Sequence, residues 1–314
     1  MTGLELSRSY YELYAPTLFE GLPSDVRYRA ALGLVGEGSE CLGFDDEISH
    51  DHDFGPGFCV WLSTDVYEEW GSELQRRYDL LPVSFKGFTR QQTQVAGRRV
   101  GVFETQAFYR LYTGLSRAPQ CAKEWLAIPE QLLAQVTAGE VFADPSGEFS
   151  ILRAVYQGFY PDEVMRKKFA AHCASMAQAG QYNLVRAAVR GDEVGCCLAY
   201  ARAVEAACLL VHELSHRFCP YYKWALISCE RCCGELGRAV AAHLRAAGSF
   251  TGALGTCNAR ALQNELDDAA ALIVAELARQ ELTDDTSVFL LDHVNAIRTL
   301  GTAAGMAPCA MPCD

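Results

Sequence analysis

The spacing of hydrophobic residues changes along the chain and predicts two kinds of structure. Between about residues 28 and 103, short apolar runs alternate with Gly-rich breaks, and the clearest runs are residues 31–35 and 58–62. Runs of four or five apolar or aromatic residues bounded by Gly or Pro are typical of buried β-strands. We therefore expect a mixed sheet of about three to five strands in this part of the chain.

Two further elements are predicted in the same part of the chain. Thr64 is a suitable N-cap residue, and the residues that follow it predict a helix over positions 65–80. Residues 92–95 and 99–103 flank the sequence Ala96-Gly97-Arg98, which predicts a β-hairpin.

From about residue 129 onward the hydrophobic pattern is helical. Apolar residues recur at intervals of three and four, and Gly, Pro or Asp stands at the joints. This periodicity is typical of amphipathic helices packed in a bundle. The predicted helices cover residues 129–137, 148–158, 161–180, 183–190, 193–218, 221–247, 257–279 and 284–299.

The predicted fold class is α+β, with an N-terminal mixed β-sheet and its helices followed by a C-terminal all-α helical bundle. The change in composition near residue 120 indicates the domain boundary. We expect an α+β domain over residues 1–120, a helical domain over residues 121–302 and a tail over residues 303–314.

The composition of the chain indicates a globular protein, and its net charge bears on which kind of molecule it binds. Half of the 314 residues are hydrophobic, which is enough for a sizeable core. The chain has 27 Lys and Arg against 39 Asp and Glu, for a formal net charge of −12. Because an acidic surface repels a phosphate backbone, the composition disfavours a long nucleic acid as the partner.

The sequence also predicts a cytoplasmic location. Residues 1–11 lack the basic start and apolar run of an export signal. The most apolar stretch, residues 199–214, contains Arg202 and Glu205 and is shorter than the roughly 20 apolar residues of a membrane span. We therefore expect no membrane association, and we expect the 14 cysteines to be reduced thiols.

A Gly-Ser pair followed by two spaced aspartates is the candidate for chemistry. Gly38 and Ser39 follow the first predicted strand, and Asp51 and Asp53 precede the next one, with eleven residues between Ser39 and Asp51. Asp-x-Asp on an extended chain places both carboxylates on one face, where a Mg²⁺ ion offsets their repulsion. A Gly-Ser turn offers backbone N–H groups and a hydroxyl to phosphate oxygens. Together these parts predict a site for in-line displacement at the α-phosphate of a nucleotide.

These residues resemble the signature of the nucleotidyltransferase superfamily, which includes DNA polymerase beta and kanamycin nucleotidyltransferase. Gly38, Ser39, Gly43, Asp51 and Asp53 match the positions of that signature. Most of residues 1–300 also resembles a bacterial family of unknown function built on the same core. The segments that carry this second resemblance are residues 36–58, 180–183 and 220–224.

The resemblance implies an α+β nucleotidyltransferase domain followed by helices, and it suggests further site residues. Glu104 is the candidate for a third carboxylate, as metal ligand or base, although it could equally cap the following helix. Lys223 could neutralise a triphosphate or be a surface lysine. Tyr182 and Asn183 could bind the base or the acceptor, or Asn183 could cap a helix.

The expected function is Mg²⁺-dependent transfer of a nucleoside monophosphate from an NTP, with ATP as the expected donor, to a hydroxyl group. The acidic composition favours a small-molecule or protein acceptor. A second hypothesis is a non-catalytic nucleotide-binding module on the same fold. The sequence leaves the oligomeric state open.

Two patterns suggest zinc instead. The sequence His212-Glu213-Leu214-Ser215-His216 is H-E-x-x-H on a predicted helix, which is the pattern of a zinc metallopeptidase. The sequence Cys229-x-x-Cys232-Cys233 resembles half of a metal site, and Cys309 and Cys313 could supply the other half. Core packing explains Cys229 and Cys233 equally well, because they share one face of a helix.

Overall fold

The computed structural model describes residues 1–50, 54–90, 98–249 and 256–300. The chain divides into two compact units, Met1–Phe159 and Tyr160–Asp314. The first unit contains a small mixed sheet with helices, and the second is helical. The predicted α+β fold with a helical C-terminal region is therefore confirmed.

The first unit contains eight α-helices and six strands among its described residues. Its helices are α1 (Gly3–Leu18), α2 (Ser24–Tyr28), α3 (Ser39–Leu42), α4 (Thr64–Asp79), α5 (Thr105–Thr113), α6 (Ala122–Ala127), α7 (Glu130–Thr137) and α8 (Glu148–Gln157). Its strands are β1 (Ala31–Leu34), β2 (Cys59–Leu62), β3 (Ser84–Phe85), β4 (Phe88–Thr89), β5 (Gly101–Glu104) and β6 (Glu140–Ala143).

Four of these strands form the main sheet, in the order β5-β2-β1-β6. Strand β1 is antiparallel to both β2 and β6, whereas β2 is parallel to β5. Consequently β1 ends where β2, β5 and β6 begin, and we call this side the turn end of the sheet. The aligned residues at the turn end are Gly33, Cys59 and Gly101.

The sheet is covered on both faces, which explains why residues 58–62 are continuously apolar. Phe58, Val60 and Leu62 pack with residues of α1 and α4 in one buried cluster. Trp61, which points to the opposite face, stacks on Phe149 of α8 with ring centroids 4.1 Å apart. Every residue of β2 is buried.

The first unit extends beyond the predicted boundary near residue 120 and includes residues 121–159. The reason is β6, which pairs with β1 across a large separation in sequence. All four residues of β6 are half-buried, so the hydrophobic pattern that would predict a buried strand is weak there. The sequence reasoning missed this strand.

Two details of the first unit also differ from the predictions. The N-cap position of α4 is Ser63 rather than Thr64, which is the first residue of the helix. A two-stranded β3–β4 hairpin turns at Lys86-Gly87, where both residues have positive φ. Part of the predicted hairpin around Ala96-Gly97-Arg98 lies outside the described residues, whereas β5 matches its second strand.

The second unit is a helical bundle. Its helices are α9 (Asp162–Met176), α10 (Leu184–Val189), α11 (Glu193–Leu214), α12 (Tyr222–Cys232), α13 (Gly234–Gly248), α14 (Thr256–Arg279) and α15 (Val294–Thr299). A π-helical segment, Ala177–Asn183, links α9 to α10, and a short 3-10 helix, Leu290–His293, precedes α15.

The long helix predicted over residues 221–247 is broken into α12 and α13. Gly234 has φ +64°, a conformation that favours glycine and ends α12 at Cys232. A Cβ on Gly237 would lie 2.0 Å from the carbonyl oxygen of Cys229. Gly237 therefore lets α13 pack closely against the end of α12.

Helix α11 forms the centre of the second core. Among the described residues it is the one helix long and apolar enough to cross a membrane by length and composition. Ala203, Ala207 and Leu210 are fully buried in the bundle, and α11 packs against α9, α10, α12 and α14. The central helix of a bundle reaches the same apolar composition because it is surrounded by other helices.

Candidate functional site

The turn between β1 and α3 carries the candidate phosphate-binding residues. Gly36 and Gly38 both have positive φ, at +123° and +115°. A Cβ on Gly38 would lie 2.2 Å from Nη2 of Arg99, so no other residue fits this position without movement. Ser39 is the first residue of α3, and its side chain is half-buried.

Arg99 forms a buried ion pair beside this turn. Its Nη2 donates to Oε1 of Glu40 at 2.6 Å and to the carbonyl oxygen of Glu37 at 2.6 Å. The side chains of Arg99 and Glu40 are 13% and 9% exposed. Burial by itself would lower the pKa of Arg99, but the charge of Glu40 holds that pKa above its usual value. Both members of this ion pair therefore lie directly under the turn.

Two buried thiols surround the ion pair. Cys59 donates from Sγ to the carbonyl oxygen of Arg99 at 3.3 Å, and burial raises the pKa of Cys59 to about 12. Burial also raises the pKa of Cys41 well above its usual value. Both groups are neutral near pH 7 and act as small apolar residues that exclude water.

The strand directions bring the Gly-Ser turn near the chain that follows the Asp-x-Asp motif. Glu40 and Phe54 both lie next to Gly3 at the start of α1. A Cβ on Gly3 would be 2.6 Å from Cβ of Glu40 and 3.0 Å from Cε2 of Phe54. Phe54 follows Asp53 directly in sequence, and Glu40 is one residue beyond Ser39. Asp51 and Asp53 themselves lie outside the described residues, so their metal-binding role stays a prediction.

The structure separates Glu104 from Gly38 and Ser39. Because β5 is parallel to β2, the residue that ends β5 lies at the end of the sheet opposite the turn end. At about 3.3 Å per residue, three residues of β5 place that position roughly 10 Å away along the strand. Glu104 instead caps α5, since it accepts from the backbone N–H of Ala107 at 3.0 Å and from Oγ1 of Thr64 at 2.6 Å. The predicted alternative of a capping role is the one observed.

The remaining candidate residues belong to the second unit. Lys223 is exposed in the first turn of α12, with Nζ 5.1 Å from the ring centre of Trp224. Tyr182 is exposed, and the guanidinium of Arg186 lies 4.4 Å from its ring centre. Asn183 is exposed and its side chain makes no capping hydrogen bond to α10. The capping role considered for Asn183 is therefore not observed.

The H-E-x-x-H motif does not have the geometry of a zinc peptidase. Helix α11 ends at Leu214, and His216 has φ +51°, so the two imidazoles do not share one helical face. Glu213 is fully buried and pairs with His172 at 3.0 Å instead of facing a substrate. Helix α11 therefore ends two residues before His216, and the motif lacks the one-face arrangement that this alternative assumed.

A different group of donor atoms lies between α13 and α14. One ligand atom from each of His243, Glu265 and Asp268 lies within 4.8 Å of the others. Nδ1 of His243 and Oε2 of Glu265 are 2.8 Å apart. All three residues are at least partly exposed, and the hydrogen bond between His243 and Glu265 accounts for most of this geometry.

Sequence reasoning missed Arg99 and Glu40 as members of the site. Arg99 stands next to Arg98 in a stretch that resembles a hairpin, and nothing local distinguishes a buried arginine from an exposed one. Gly38 was the available signal in the sequence. Glycine is the residue that allows both a positive φ and the close approach of a neighbouring group.

The comparison with known proteins adds one match. Residues 125–225 match a family model described as "Domain of unknown function (DUF4037)". The matched segment covers about a third of the chain and includes Tyr182, Asn183 and Lys223. Neither the curated proteins nor the solved structures include a match.

Proposed function

We propose that the protein is a cytoplasmic, Mg²⁺-dependent nucleotidyltransferase. It transfers a nucleoside monophosphate from an NTP, with ATP as the expected donor, to a hydroxyl group of a small molecule or a protein. The attacking oxygen forms a bond to the α-phosphorus, and the bond to the bridging oxygen breaks to release pyrophosphate. The nucleotidyltransferase resemblance at Gly38, Ser39, Asp51 and Asp53 suggests this reaction.

One observation carries the proposal. The Gly38–Ser39 turn lies at the turn end of the sheet, and the next residue, Glu40, has its Cβ close to the ring of Phe54, which follows the Asp-x-Asp motif. A phosphate loop and a pair of metal-binding carboxylates must lie close together if both are to act on one nucleotide, and this proximity supports the proposal.

The residues present fit a polyphosphate and a magnesium ion. The turn at Gly38 carries no side chain at that position and rests on the Arg99–Glu40 ion pair. Asp51 and Asp53 supply the hard oxygen ligands that would hold Mg²⁺, which offsets phosphate charge when it is bound. Ser39 offers a hydroxyl and a backbone N–H to the terminal phosphates.

A second candidate function is nucleotide binding without turnover. The observation that favours it is the position of Glu104, which caps α5 at the end of the sheet opposite Gly38 and is not placed beside the Gly-Ser turn as a third carboxylate would be. We therefore assign Glu104 a structural role under either function.

The experiment is a thermal shift series with each of the four common NTPs, with and without Mg²⁺. A ligand at 100 times its dissociation constant stabilises a protein by about 2.7 kcal/mol, which is readily measured. We expect a magnesium-dependent rise in melting temperature that Asp51→Asn abolishes. The matched control is Glu47→Gln, which removes an exposed carboxylate from the same loop.

Pyrophosphate release then separates the two candidates. Release with a mixture of hydroxyl acceptors supports the transferase, and nucleotide binding without release supports the binding module. Unchanged melting temperatures with all four nucleotides would overturn both.

A further inference from the structure

Helix α11 is covered differently along its two halves. Its C-terminal half is surrounded by other helices, and residues 206–208 and 210–214 are all buried. In its N-terminal half only one side is covered, where Cys196, Ala199 and Ala203 face the core. The most apolar 18-residue stretch of the helix has a mean hydropathy of 1.7, but only 39% of that stretch is buried. An apolar helix surface normally packs against another element, so the open side of the N-terminal half needs an explanation.

The open side of α11 is a strip of apolar residues that ends in a carboxylate. We call it the outer face, and it consists of Val194, Cys197, Leu198, Ala201 and Glu205. Val194 and Leu198 are 71% and 62% exposed, and the other three residues are also exposed. At 3.6 residues per turn, the five side chains fall within about 100° around the helix axis and extend over about 16 Å. A continuous apolar strip bordered by charge is typical of an interaction surface, whereas apolar residues scattered singly are not.

Opposite charges stand at the two ends of the outer face. Arg190 is the C-cap residue of α10 and lies two positions before Asp192, the N-cap residue of α11. It is exposed, and its Nη1 donates to the carbonyl oxygen of Arg186 at 3.2 Å. Among the described residues, no carboxylate forms an ion pair with Arg190 and no cation forms one with Glu205. The outer face therefore has an unpaired cation near one end and an unpaired carboxylate at the other.

The outer face is complementary to a reversed copy of itself. When two α11 helices run antiparallel about a two-fold axis between positions 199 and 200, position 198 of each helix lies opposite position 201 of the other. The large side chain of Leu198 then packs on the small Ala201 of the second copy. Glu205 lies opposite Val194, in the first turn of the other helix, where the helix dipole favours a negative charge. The flexible stem of Glu205 covers this apolar position, and its carboxylate extends toward Arg190 of the second copy.

We propose that the protein forms a symmetric dimer in which the outer faces of two α11 helices pack antiparallel. The partner is a second copy of this chain, because that copy supplies at Arg190 the cation that Glu205 lacks within one chain. A lipid surface would also cover Val194 and Leu198, but it would bring Arg202 and Glu205, which are both exposed, against hydrocarbon at a high cost. The dimer concerns the second unit and does not depend on the proposed nucleotide chemistry.

The first test is the mass of the full-length protein in solution, measured by light scattering during size-exclusion chromatography. We expect the wild type at twice the chain mass of 34.5 kDa. Leu198→Asp places a charge in the middle of the interface and should give a monomer. The matched control is Leu111→Asp, which stays dimeric because Leu111 is 74% exposed on α5, outside the outer face. Substitutions at exposed positions such as these rarely unfold a chain, and circular dichroism of both variants verifies the fold.

Charge reversal tests the antiparallel arrangement. Glu205→Arg places a like charge near Arg190 of the second copy and should raise the dissociation constant of the dimer at least about tenfold at low salt. Arg190→Glu should have a similar effect. The double variant restores the attraction with the signs exchanged, so its dissociation constant should return to within about threefold of the wild-type value. Sedimentation equilibrium measures all four proteins.

Four results would overturn the proposal. One is a wild type that is monomeric at every concentration tested. Another is a dimer that Leu198→Asp leaves intact, which would locate the interface elsewhere. A double charge variant as weak as the single ones would contradict the antiparallel pairing. Flotation of the wild type with phosphatidylcholine–phosphatidylserine vesicles, abolished by Leu198→Asp, would assign the outer face to a lipid surface.

Discussion

The guanidinium of Arg99 lies 2.6 Å from the carboxylate of Glu40, and this buried ion pair occupies the space that a side chain on Gly38 would need. The pair links the chain before β5 to α3 and so holds the glycine turn in place. Because the same ion pair stabilises the first unit and supports the glycine turn, a change that breaks it should affect both stability and the candidate nucleotide site.

Breaking this ion pair from one side is expected to be costly. In Arg99→Gln the carboxylate of Glu40 stays buried without its charged partner, and such changes cost about 3–5 kcal/mol. Urea unfolding of the variant measures the loss. The matched control is Arg98→Gln, because Arg98 pairs with Asp79 at an exposed position and its loss costs under about 1 kcal/mol. Equal losses in the two variants would contradict the structural role of Arg99.

Gly38→Ala is expected to lower both stability and nucleotide binding. The new Cβ would clash with Nη2 of Arg99, and φ +115° is unfavourable for any L-residue, so a cost of about 1–3 kcal/mol is expected. Gly43→Ala is the control, since Gly43 also has positive φ but its Cβ would meet no atom within 4 Å. Calorimetry with and without NTP and Mg²⁺ measures both effects. A Gly38→Ala variant with unchanged stability would contradict the close packing of Arg99.

Glu104→Ala is expected to weaken the fold slightly and leave the nucleotide effect intact. The substitution removes the cap of α5, which costs about 1 kcal/mol. The magnesium-dependent shift with NTP should keep its wild-type size, because Glu104 lies at the far end of the sheet from Gly38. If the Glu104→Ala variant folds normally but its melting temperature no longer rises with NTP and Mg²⁺, Glu104 contributes to the nucleotide site after all.

Glu124 is expected to contribute to acid sensitivity. Its carboxylate accepts from Arg117 and from the backbone N–H of Gln120, and the Arg117 hydrogen bonds foremost hold its pKa at about 2, below the usual value of 4.5. A carboxyl whose pKa is lowered on folding stabilises the protein above its unfolded pKa. That stabilisation is lost as the pH falls from about 4.5 toward 2.

Glu124→Gln should therefore flatten the pH dependence of unfolding in that window and have its largest effect on stability above about pH 5. Denaturant unfolding at several pH values measures the slope. An unchanged slope would mean that the pair with Arg117 does not persist in solution.

The helices of the second unit follow directly from local sequence patterns. The apolar period predicts α9, α11 and α14 because a helix satisfies its own backbone hydrogen bonds and needs only one apolar face to pack. The break at Gly234 was not predicted, since a glycine is tolerated in a helix unless a neighbour forces positive φ. Here the close approach of Gly237 to Cys229 accompanies that break.

By itself, the sequence determined the fold class and the strands β1 and β2, whereas the shared site of the Gly-Ser turn and the Asp-x-Asp motif stays a prediction. Only the tertiary structure decided that β6 joins the sheet, that Glu104 faces away from the turn, and that Arg99 lies beneath Gly38. The physical reason is the separation in sequence over which each interaction acts. Helical periodicity and turn preferences depend on residues within a few positions of one another. Strand direction and helix packing instead join residues tens of positions apart, and the local pattern does not encode which neighbour each will meet.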